Sequence, residues 1–185
     1  CIGDNRTYSY LSSRMGDSLA DKAALHVLKH IYPDFNSYSY SERQCDLRQY
    51  GSPGVDLPVC SIMRSKYGSY PEYHTSMDNL DLVNGAQILE AMSVYQHAFE
   101  ILDSNEQIKS KVPFGEPQLS SRGLYPTTGG AINQKSSSFR LDHKEVENID
   151  LLAWLMFLAD GDTDLISIAE RSGYRFRDLK DMVAI

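Results

Sequence analysis

The sequence predicts an α/β domain followed by a small all-helical unit, and three patterns lead to this prediction. Residues 17–32 and 78–102 carry apolar side chains at helical spacing, and the apolar run at 55–63 between them is typical of a buried strand. Strands that alternate with helices favour an α/β sheet. Beyond residue 144 the patterns are helical, as in helix-turn-helix or winged-helix units.

Length, composition and charge limit the classes of protein to which the chain can belong. Its 185 residues, 42% of them hydrophobic, suffice for one domain with a good core and a small appendage. No apolar run approaches the roughly 20 residues of a membrane span. The formal net charge of −7 means that the protein as a whole would be repelled by nucleic acids and anionic membranes. We therefore expect neither a nucleic-acid nor a membrane partner.

The three cysteines favour a cytoplasmic setting. They are Cys1, Cys45 and Cys60, an odd number without CxxC spacing, so reduced thiols are favoured over a disulfide framework or a cysteine-rich zinc site. Any metal would then bind carboxylates and imidazoles. Because the chain begins at cysteine rather than methionine, we expect the true amino terminus to lie upstream.

The first helix is predicted over residues 17–32, with Asp17 or Ser18 as its N-cap. Four apolar residues share one face of it: Leu19, Ala23, Val27 and Ile31. His26 and His30 are spaced i, i+4 and could chelate a metal, but no acidic residue lies between them as in HExxH. Packed or solvated side chains are therefore the favoured interpretation of this pair.

The second long helix is predicted from Asp78 to Leu102, with Asp78 or Asn79 as its N-cap. His74 lies in the loop that leads into it, within "YPEYHTSMDNLDLV" at residues 70–83. Ligands of open α/β sheets bind in loops outside the carboxyl ends of strands. From the residues alone, His74 is open to two interpretations, a metal ligand or a surface histidine.

Residues 105–144 form a long connection, and residues 145–185 form a helical unit. The connection is rich in proline, glycine and serine and carries more basic than acidic side chains; connections of this length are typically functional lids or disordered linkers. The helical unit reads as a helix over 145–160 and two helices around a turn at Gly173. Residues 162–185 have a net charge of −1, which favours a structural or protein-contact role over DNA binding.

Three motifs resemble zinc-dependent aminopeptidases. They are "CIGD" at 1–4, "CDLRQYGSPGVDLPV" at 45–59 and "YPEYHTSMDNLDLV" at 70–83, and together they look like the second half of the co-catalytic di-zinc exopeptidase fold. A bacterial subgroup that is associated with polysaccharide biosynthesis and appends a winged helix is more similar still, since "GEPQLxxRGLYPT" and "SIAERSG" also match it. The resemblance implies part of a three-layer αβα sheet in residues 1–104.

The resemblance also implies two metal ligands in this chain, one for each of two zinc ions. An aspartate at the end of a core strand binds one ion in the family, and the histidine of an H-[ST]-x-x-D loop binds the other; the matching positions are Asp4 and His74. Carboxylate and neutral imidazole are ordinary zinc ligands. Asp78 then either supports that loop by hydrogen bonding or caps the following helix.

Other parts of the family's site have no match in this chain. A His-x-Asp pair, a bridging Asp and a Glu-Glu pair that supplies the general base lie before "CIGD" in the family, so no catalytic residue is expected here. The subgroup usually reads S-D-E-R-Q where this chain has CDLRQ at 45–49, so a carboxylate is absent at Leu47. Asp46 and Arg48 are expected either to line the substrate cleft or to form a salt bridge within the loop.

These inferences predict part of a zinc-dependent amide or peptide hydrolase of aminopeptidase type, in which two zinc ions activate water for attack on an amide carbonyl. Residues 114–127 are expected to fold back toward the metal cleft, with Arg122 available to an anionic group; a surface tether is the alternative. The alternative function is a non-catalytic interaction protein on the same scaffold. Self-association into a homo-oligomer stays open.

Overall fold

The computed structural model describes residues 1–122, 124 and 143–183, with only the backbone at 122 and 143–147. The chain divides into two compact units, Cys1–Ser104 and Asn105–Ile185. None of the helices in the described part of the chain meets the length and apolarity that a membrane span requires. Each unit has its own secondary structure and core.

The first unit is built on a mixed three-stranded sheet. Its elements are β1 (Ser9–Leu11), α1 (Leu19–Ile31), β2 (Asn36–Tyr38), a 3-10 turn (Tyr40–Glu42), α2 (Leu47–Tyr50), β3 (Ser61–Met63) and α3 (Gly85–Ser104). The strand order is β2-β1-β3, with β1 parallel to β2 and antiparallel to β3. Helices α1 and α3 pack against each other, and Tyr95 of α3 donates a 2.5 Å hydrogen bond to the carbonyl of Ile62 in β3. The mixed α/β class is confirmed, whereas the three-layer arrangement stays a prediction.

Helix α1 confirms the first predicted helix, and Ser18 is its N-cap. The Ser18 hydroxyl accepts a hydrogen bond from the Asp21 backbone N–H, and the Asp21 carboxylate accepts one in return from the Ser18 N–H, at 3.2 and 2.9 Å. This reciprocal capping box satisfies two donors that a helix start leaves free. His26 is buried, with its ring centroid 4.5 Å from that of His30, which agrees with the packed interpretation.

Asp21 is fully buried and is the centre of a polar network between β1 and the start of α1. Its carboxylate accepts hydrogen bonds from the Tyr10 hydroxyl at 2.6 Å and the Ser13 backbone N–H at 2.8 Å, in addition to those from Ser18. Burial raises the pKa of Asp21, but the hydrogen bonds from Ser13, Ser18 and Tyr10 outweigh it and hold the pKa below its usual value. The network therefore joins the sheet, the loop after β1 and the start of α1.

Asp21→Asn is expected to lower the free energy of unfolding at pH 7 by about 3 kcal/mol, because an amide group would face buried donors that lose their acceptor. The folded pKa of Asp21 lies below the unfolded value, so its stabilising contribution is complete above about pH 5 and is lost as the pH falls through the folded pKa. The difference between wild type and variant should therefore shrink in acid, as urea unfolding at pH 7 and pH 3 would measure. Asp17→Asn changes an exposed carboxylate nearby and is the control, with a change below about 0.5 kcal/mol.

The predicted strand over 55–63 is correct only at its end. Strand β3 covers Ser61–Met63, whereas Val55 and Leu57 are exposed. Their backbone N–H groups bond to the carbonyls of Ser52 and Tyr50, at 2.9 and 2.8 Å. These backbone N–H groups therefore bond within a turn and are not available to pair with a neighbouring strand.

The predicted start of the second long helix is wrong. Helix α3 begins at Gly85, not Asp78, and the Asn84 side chain accepts a hydrogen bond from the Gln87 N–H at 3.1 Å in the manner of an N-cap. The Asn79 side chain bonds the Asp81 N–H at 2.8 Å and closes a turn of its own. Because this turn precedes the helix, Asp78 is not its cap.

The three cysteines are free thiols, as their odd number predicted. Burial, together with the neighbouring Asp21 carboxylate, raises the pKa of the Cys60 thiol to about 12. Cys60 is therefore a protonated, unreactive thiol at neutral pH. The cytoplasmic location stays a prediction.

The second unit contains the three predicted helices and a small sheet that the sequence did not reveal. Its elements are β4 (Gln107–Lys109), a 3-10 turn (Ser120–Arg122), α4 (His143–Leu158), β5 (Asp160–Asp164), α5 (Leu165–Ser172) and α6 (Phe176–Val183). Strands β4 and β5 pair antiparallel, with Lys109 opposite Asp160, so the expected all-α character is corrected. The sequence did not predict β5, because residues 160–164 are polar and lack the apolar alternation that is typical of a strand.

Helices α4, α5 and α6 enclose the core of the second unit. Gly173, at φ 79°, ends α5 in the left-handed conformation and donates its N–H to the carbonyl of Ala169. The buried side chains include Leu151, Leu155, Leu158, Leu165, Ile166, Ile168, Phe176 and Leu179. The predicted helix, Gly173 turn and helix are therefore confirmed.

Candidate functional site

Asp4 lies buried in the loop that precedes β1, where Ser65, two residues after the end of β3, holds its carboxylate. Its Oδ1 accepts hydrogen bonds from the Arg6 backbone N–H at 2.9 Å and the Ser65 hydroxyl at 3.0 Å, and its Oδ2 accepts one from the Ser65 N–H at 3.2 Å. Only 3% of the residue is exposed. Asp4 is therefore held in one orientation, and Oδ2 keeps lone-pair capacity for another partner.

The backbone of the Asp4 loop, residues 1–6, is attached to the rest of the unit at Cys1 and at Gly3. The Cys1 carbonyl accepts a hydrogen bond from the Arg64 N–H at 2.8 Å, and the Gly3 carbonyl accepts one from the Asn84 N–H at 3.0 Å. A Cβ atom on Gly3 would lie 2.4 Å from Val83 Cγ1. Only glycine allows this close approach, and it brings the Asp4 loop against the turn before α3.

Arg64 supports the same loop from the core. Its Nη1 donates to the Arg6 carbonyl at 3.2 Å, and its guanidinium lies 4.0 Å from the centroid of the Tyr8 ring. Glu90 of α3 forms an ion pair with it and also accepts the Tyr32 hydroxyl. Burial raises the pKa of Tyr32, and its hydrogen bond to Glu90 raises the pKa further.

His74 is exposed and lies in a tight turn. Its φ of 58° is left-handed, which histidine adopts more often than most residues but at a cost in backbone energy. Thr75 closes the turn, with its N–H and hydroxyl both donating to the Glu72 carbonyl, at 3.1 and 2.8 Å. The imidazole stacks on Tyr73 at 4.1 Å between centroids. The turn thus presents the imidazole at the surface on an aromatic support.

Three residues that sequence reasoning missed connect the Asp4 loop to the His74 loop, residues 70–79. Arg6 Nη2 donates to both carboxylate oxygens of Glu72, at 3.0 and 3.1 Å, and its guanidinium lies 5.5 Å from the Tyr70 ring centroid. The Tyr70 hydroxyl donates to Cys1 Sγ at 3.2 Å. Glu72 and Tyr70 stand inside the motif around His74, but no sequence signal pairs them with the chain start.

Acidic groups from both loops act electrostatically on Tyr70. Burial raises the pKa of Tyr70, the carboxylates of Asp78 and Asp4 raise it further, and Arg6 lowers it. Asp78 is exposed and donates its backbone N–H to the Thr75 carbonyl at 3.2 Å. Asp78 therefore lies beside the His74 turn, and its carboxylate and that of Asp4 both act on Tyr70.

The other predicted site residues lie elsewhere. Asp46 and Arg48 are exposed at the start of α2, and within the described contacts neither one forms an ion pair. Leu47 between them is buried in a core cluster with Leu11, Met63 and Tyr67, which explains why an apolar residue suits that position. Arg122 ends the 3-10 turn of the second unit, and its side chain lies outside the described residues, so the expectation for it stays a prediction.

Asp4 and His74 are suitable zinc ligands by residue type, but two ligands do not make a complete zinc site. Asp4 and His74 supply a carboxylate and an imidazole, both common zinc ligands, while tight sites use three or four protein ligands. Within the described ranges no three or more His, Cys, Asp or Glu side chains come together as a metal site. Any tight zinc site that used these two residues would need ligands from outside the described set.

Comparison with protein families assigns both units. Residues 1–105, more than half of the chain, match a family described as a domain of unknown function, DUF4910. The chain belongs to this family. Residues 106–185 match a second family, described as winged helix-turn-helix. A DUF4910 unit is therefore followed by a winged-helix unit, in agreement with the predicted helical type of the carboxyl-terminal residues.

A named protein and a solved structure, both from Clostridium acetobutylicum, relate the DUF4910 chain to peptidases. One is named for polysaccharide biosynthesis and for an aminopeptidase-like domain; it is 32% identical over 180 residues, which cover 97% of this chain and 39% of the relative. A crystal structure named as a peptidase superposes with a TM-score of 0.80 at 29% identity, over 100% of this chain and 38% of that one. The chain thus has a peptidase-like scaffold and spans about two fifths of these relatives.

Proposed function

We propose that this chain forms part of the catalytic domain of a zinc-dependent hydrolase that cleaves amide or peptide bonds in a longer protein. The observation that carries the proposal is the direct connection between the Asp4 loop and the His74 loop through Arg6 and Glu72. The loops that carry the two side chains marked by the motifs, the buried Asp4 and the exposed His74, are thereby joined by an ion pair. The aminopeptidase-like and peptidase names of relatives with a similar fold support the same class of reaction.

Asp4 and His74 would each hold one ion of a zinc pair. A bound zinc pair supplies polarisation of the scissile carbonyl and activation of water near neutral pH. In this chain Ser65 and the Arg6 N–H fix the carboxylate of Asp4, while the stacked Tyr73 ring supports the imidazole of His74. Pre-oriented ligands of this kind lose little freedom when they bind a cation.

The substrate we propose is a peptide or another small amide. The relative named for polysaccharide biosynthesis makes an amide on an amino sugar the first alternative to a peptide, although a shared fold is a weak guide to substrate. For the winged-helix unit we propose a structural or protein-contact role. Its two terminal helices carry nearly balanced charge, whereas DNA-binding surfaces carry a positive excess.

Metal removal tests the proposal. The longer protein, purified without chelators, should contain about two zinc ions per chain and hydrolyse aminoacyl amides or N-acyl amino sugars. Dialysis against a chelator should abolish hydrolysis, and added zinc should restore it. A well-folded protein without zinc and without hydrolysis of either substrate class would refute the proposal and favour the non-catalytic interaction protein.

A further inference from the structure

We propose that Arg6 and Glu72 are positioning residues that set the separation between Asp4 and His74. This inference rests on the proposed function, because it assigns a role to the ion pair only if both residues bind metal. Arg6 lies two residues after Asp4, and Glu72 lies two residues before His74. Their two hydrogen bonds, at 3.0 and 3.1 Å, join segments that are 66 residues apart.

On one side, Arg6 is tied to the carboxylate of Asp4. Its backbone N–H donates to Asp4 Oδ1 at 2.9 Å, and its carbonyl accepts the Arg64 Nη1 at 3.2 Å. The backbone of Arg6 is therefore fixed between a buried carboxylate and a buried guanidinium. A displacement of the Arg6 side chain would therefore be transmitted to the Asp4 carboxylate through the backbone of Arg6 itself.

On the other side, Glu72 is tied to the turn that carries His74. The Glu72 carbonyl accepts two hydrogen bonds from Thr75, so residues 72–75 behave as one closed turn around His74. The carboxylate of Glu72 is 16% exposed, against 42% for Asp56 in the Arg14–Asp56 pair of the same unit. Because it is largely buried, Glu72 has fewer alternative partners in water than an ordinary surface carboxylate.

The Arg14–Asp56 pair provides a matched comparison. It also has two short hydrogen bonds, at 2.6 and 2.5 Å, but it joins the loop after β1 to the turn before β3 and touches neither ligand loop. Exposed ion pairs contribute little to stability. Because the stability of each metal-free variant is measured separately, a loss of zinc affinity confined to variants of the Arg6–Glu72 pair would report on ligand geometry rather than on the loss of a salt bridge.

Arg6→Gln distinguishes a positioning role from a purely electrostatic role, because the two roles predict opposite changes in zinc affinity. Loss of a positive charge beside a cation site would by itself strengthen zinc binding. If Arg6 positions the ligands, zinc affinity should instead fall about 10- to 100-fold, the range for residues that orient metal ligands. Titration of the metal-free longer protein with zinc measures the affinity, and thermal unfolding of the same metal-free protein measures its stability.

Glu72→Gln should give a similar loss from the other side of the pair, and Arg6→Lys should recover part of the affinity that Arg6→Gln loses. Arg14→Gln should leave the affinity unchanged. All four metal-free variants should unfold within a few degrees of wild type. Equal or tighter zinc binding in Arg6→Gln, or an equal loss in Arg14→Gln, would overturn the inference.

His74→Asn in the same titration separates failure of the inference from failure of the proposed function. If His74→Asn binds zinc as tightly as wild type, the assignment of His74 as a ligand is wrong and the positioning role falls with it. If His74→Asn weakens binding and Arg6→Gln does not, the metal assignment survives and only the positioning role is refuted.

Discussion

His74→Asn in the longer protein is expected to reduce kcat/KM for amide hydrolysis by about 10³-fold, which corresponds to roughly 4 kcal/mol of lost transition-state stabilisation. The physical reason is the loss of the imidazole that we assign to one zinc ion. Asparagine is the appropriate replacement because it tolerates the left-handed φ of 58° at this position better than alanine does. The fold should therefore be retained.

The measurements are kcat and KM with an aminoacyl amide, zinc content and thermal unfolding. Zinc content should fall together with activity, while the unfolding temperature of the metal-free protein should stay within a few degrees of wild type. His97→Asn is the control, because His97 lies on α3 and contacts Glu100 at 3.5 Å rather than either ligand loop. Wild-type activity in a folded His74→Asn protein would show that His74 is a surface residue.

The 185-residue chain by itself is expected to hydrolyse nothing and to bind zinc no more tightly than scattered surface histidines do. Tight binding needs three or four converging ligands, and the two that we assign in this chain belong to different ions of the pair. The described residues contain no group of three suitable side chains to compensate. Addition of zinc should therefore raise the unfolding temperature little, because a weak ligand stabilises the folded state little.

Calorimetric titration of the purified chain with zinc tests this second result directly. A stoichiometric site of micromolar or tighter affinity that disappears in both Asp4→Asn and His74→Asn would contradict the two-ion assignment. It would point instead to a self-contained site that uses both residues on one ion. An activity assay of the chain with added zinc completes the comparison with the longer protein.

Local signals determined what the sequence predicted correctly. The first helix follows from its apolar spacing and from the Ser18 cap, whose partner Asp21 is three residues away. The turn at Gly173 follows from the freedom of glycine at positive φ. Such features depend on contacts within one helical turn, so they are visible in a short window of residues. Motif resemblance likewise marked Asp4 and His74 without any knowledge of their surroundings.

The start of α3 shows where local signals compete. Asp78, Asn79 and Asn84 are all suitable N-cap residues, and the sequence favoured the first two. The Asn79 side chain accepts a hydrogen bond within the turn that precedes the helix. Asn84 caps α3, the helix that packs on α1. Packing against another element decided between candidates that were equal in propensity.

Only the tertiary structure decided how the candidate site is assembled. The hydrogen bonds from Ser65 to Asp4 cross 61 residues, and those from Arg6 to Glu72 cross 66. A sequence without aligned relatives carries no signal for such pairs, because each partner is an ordinary polar residue in its own segment. Their contact depends on the register of β3 against β1 and on the turns around it, which form through the cooperative packing of the whole unit.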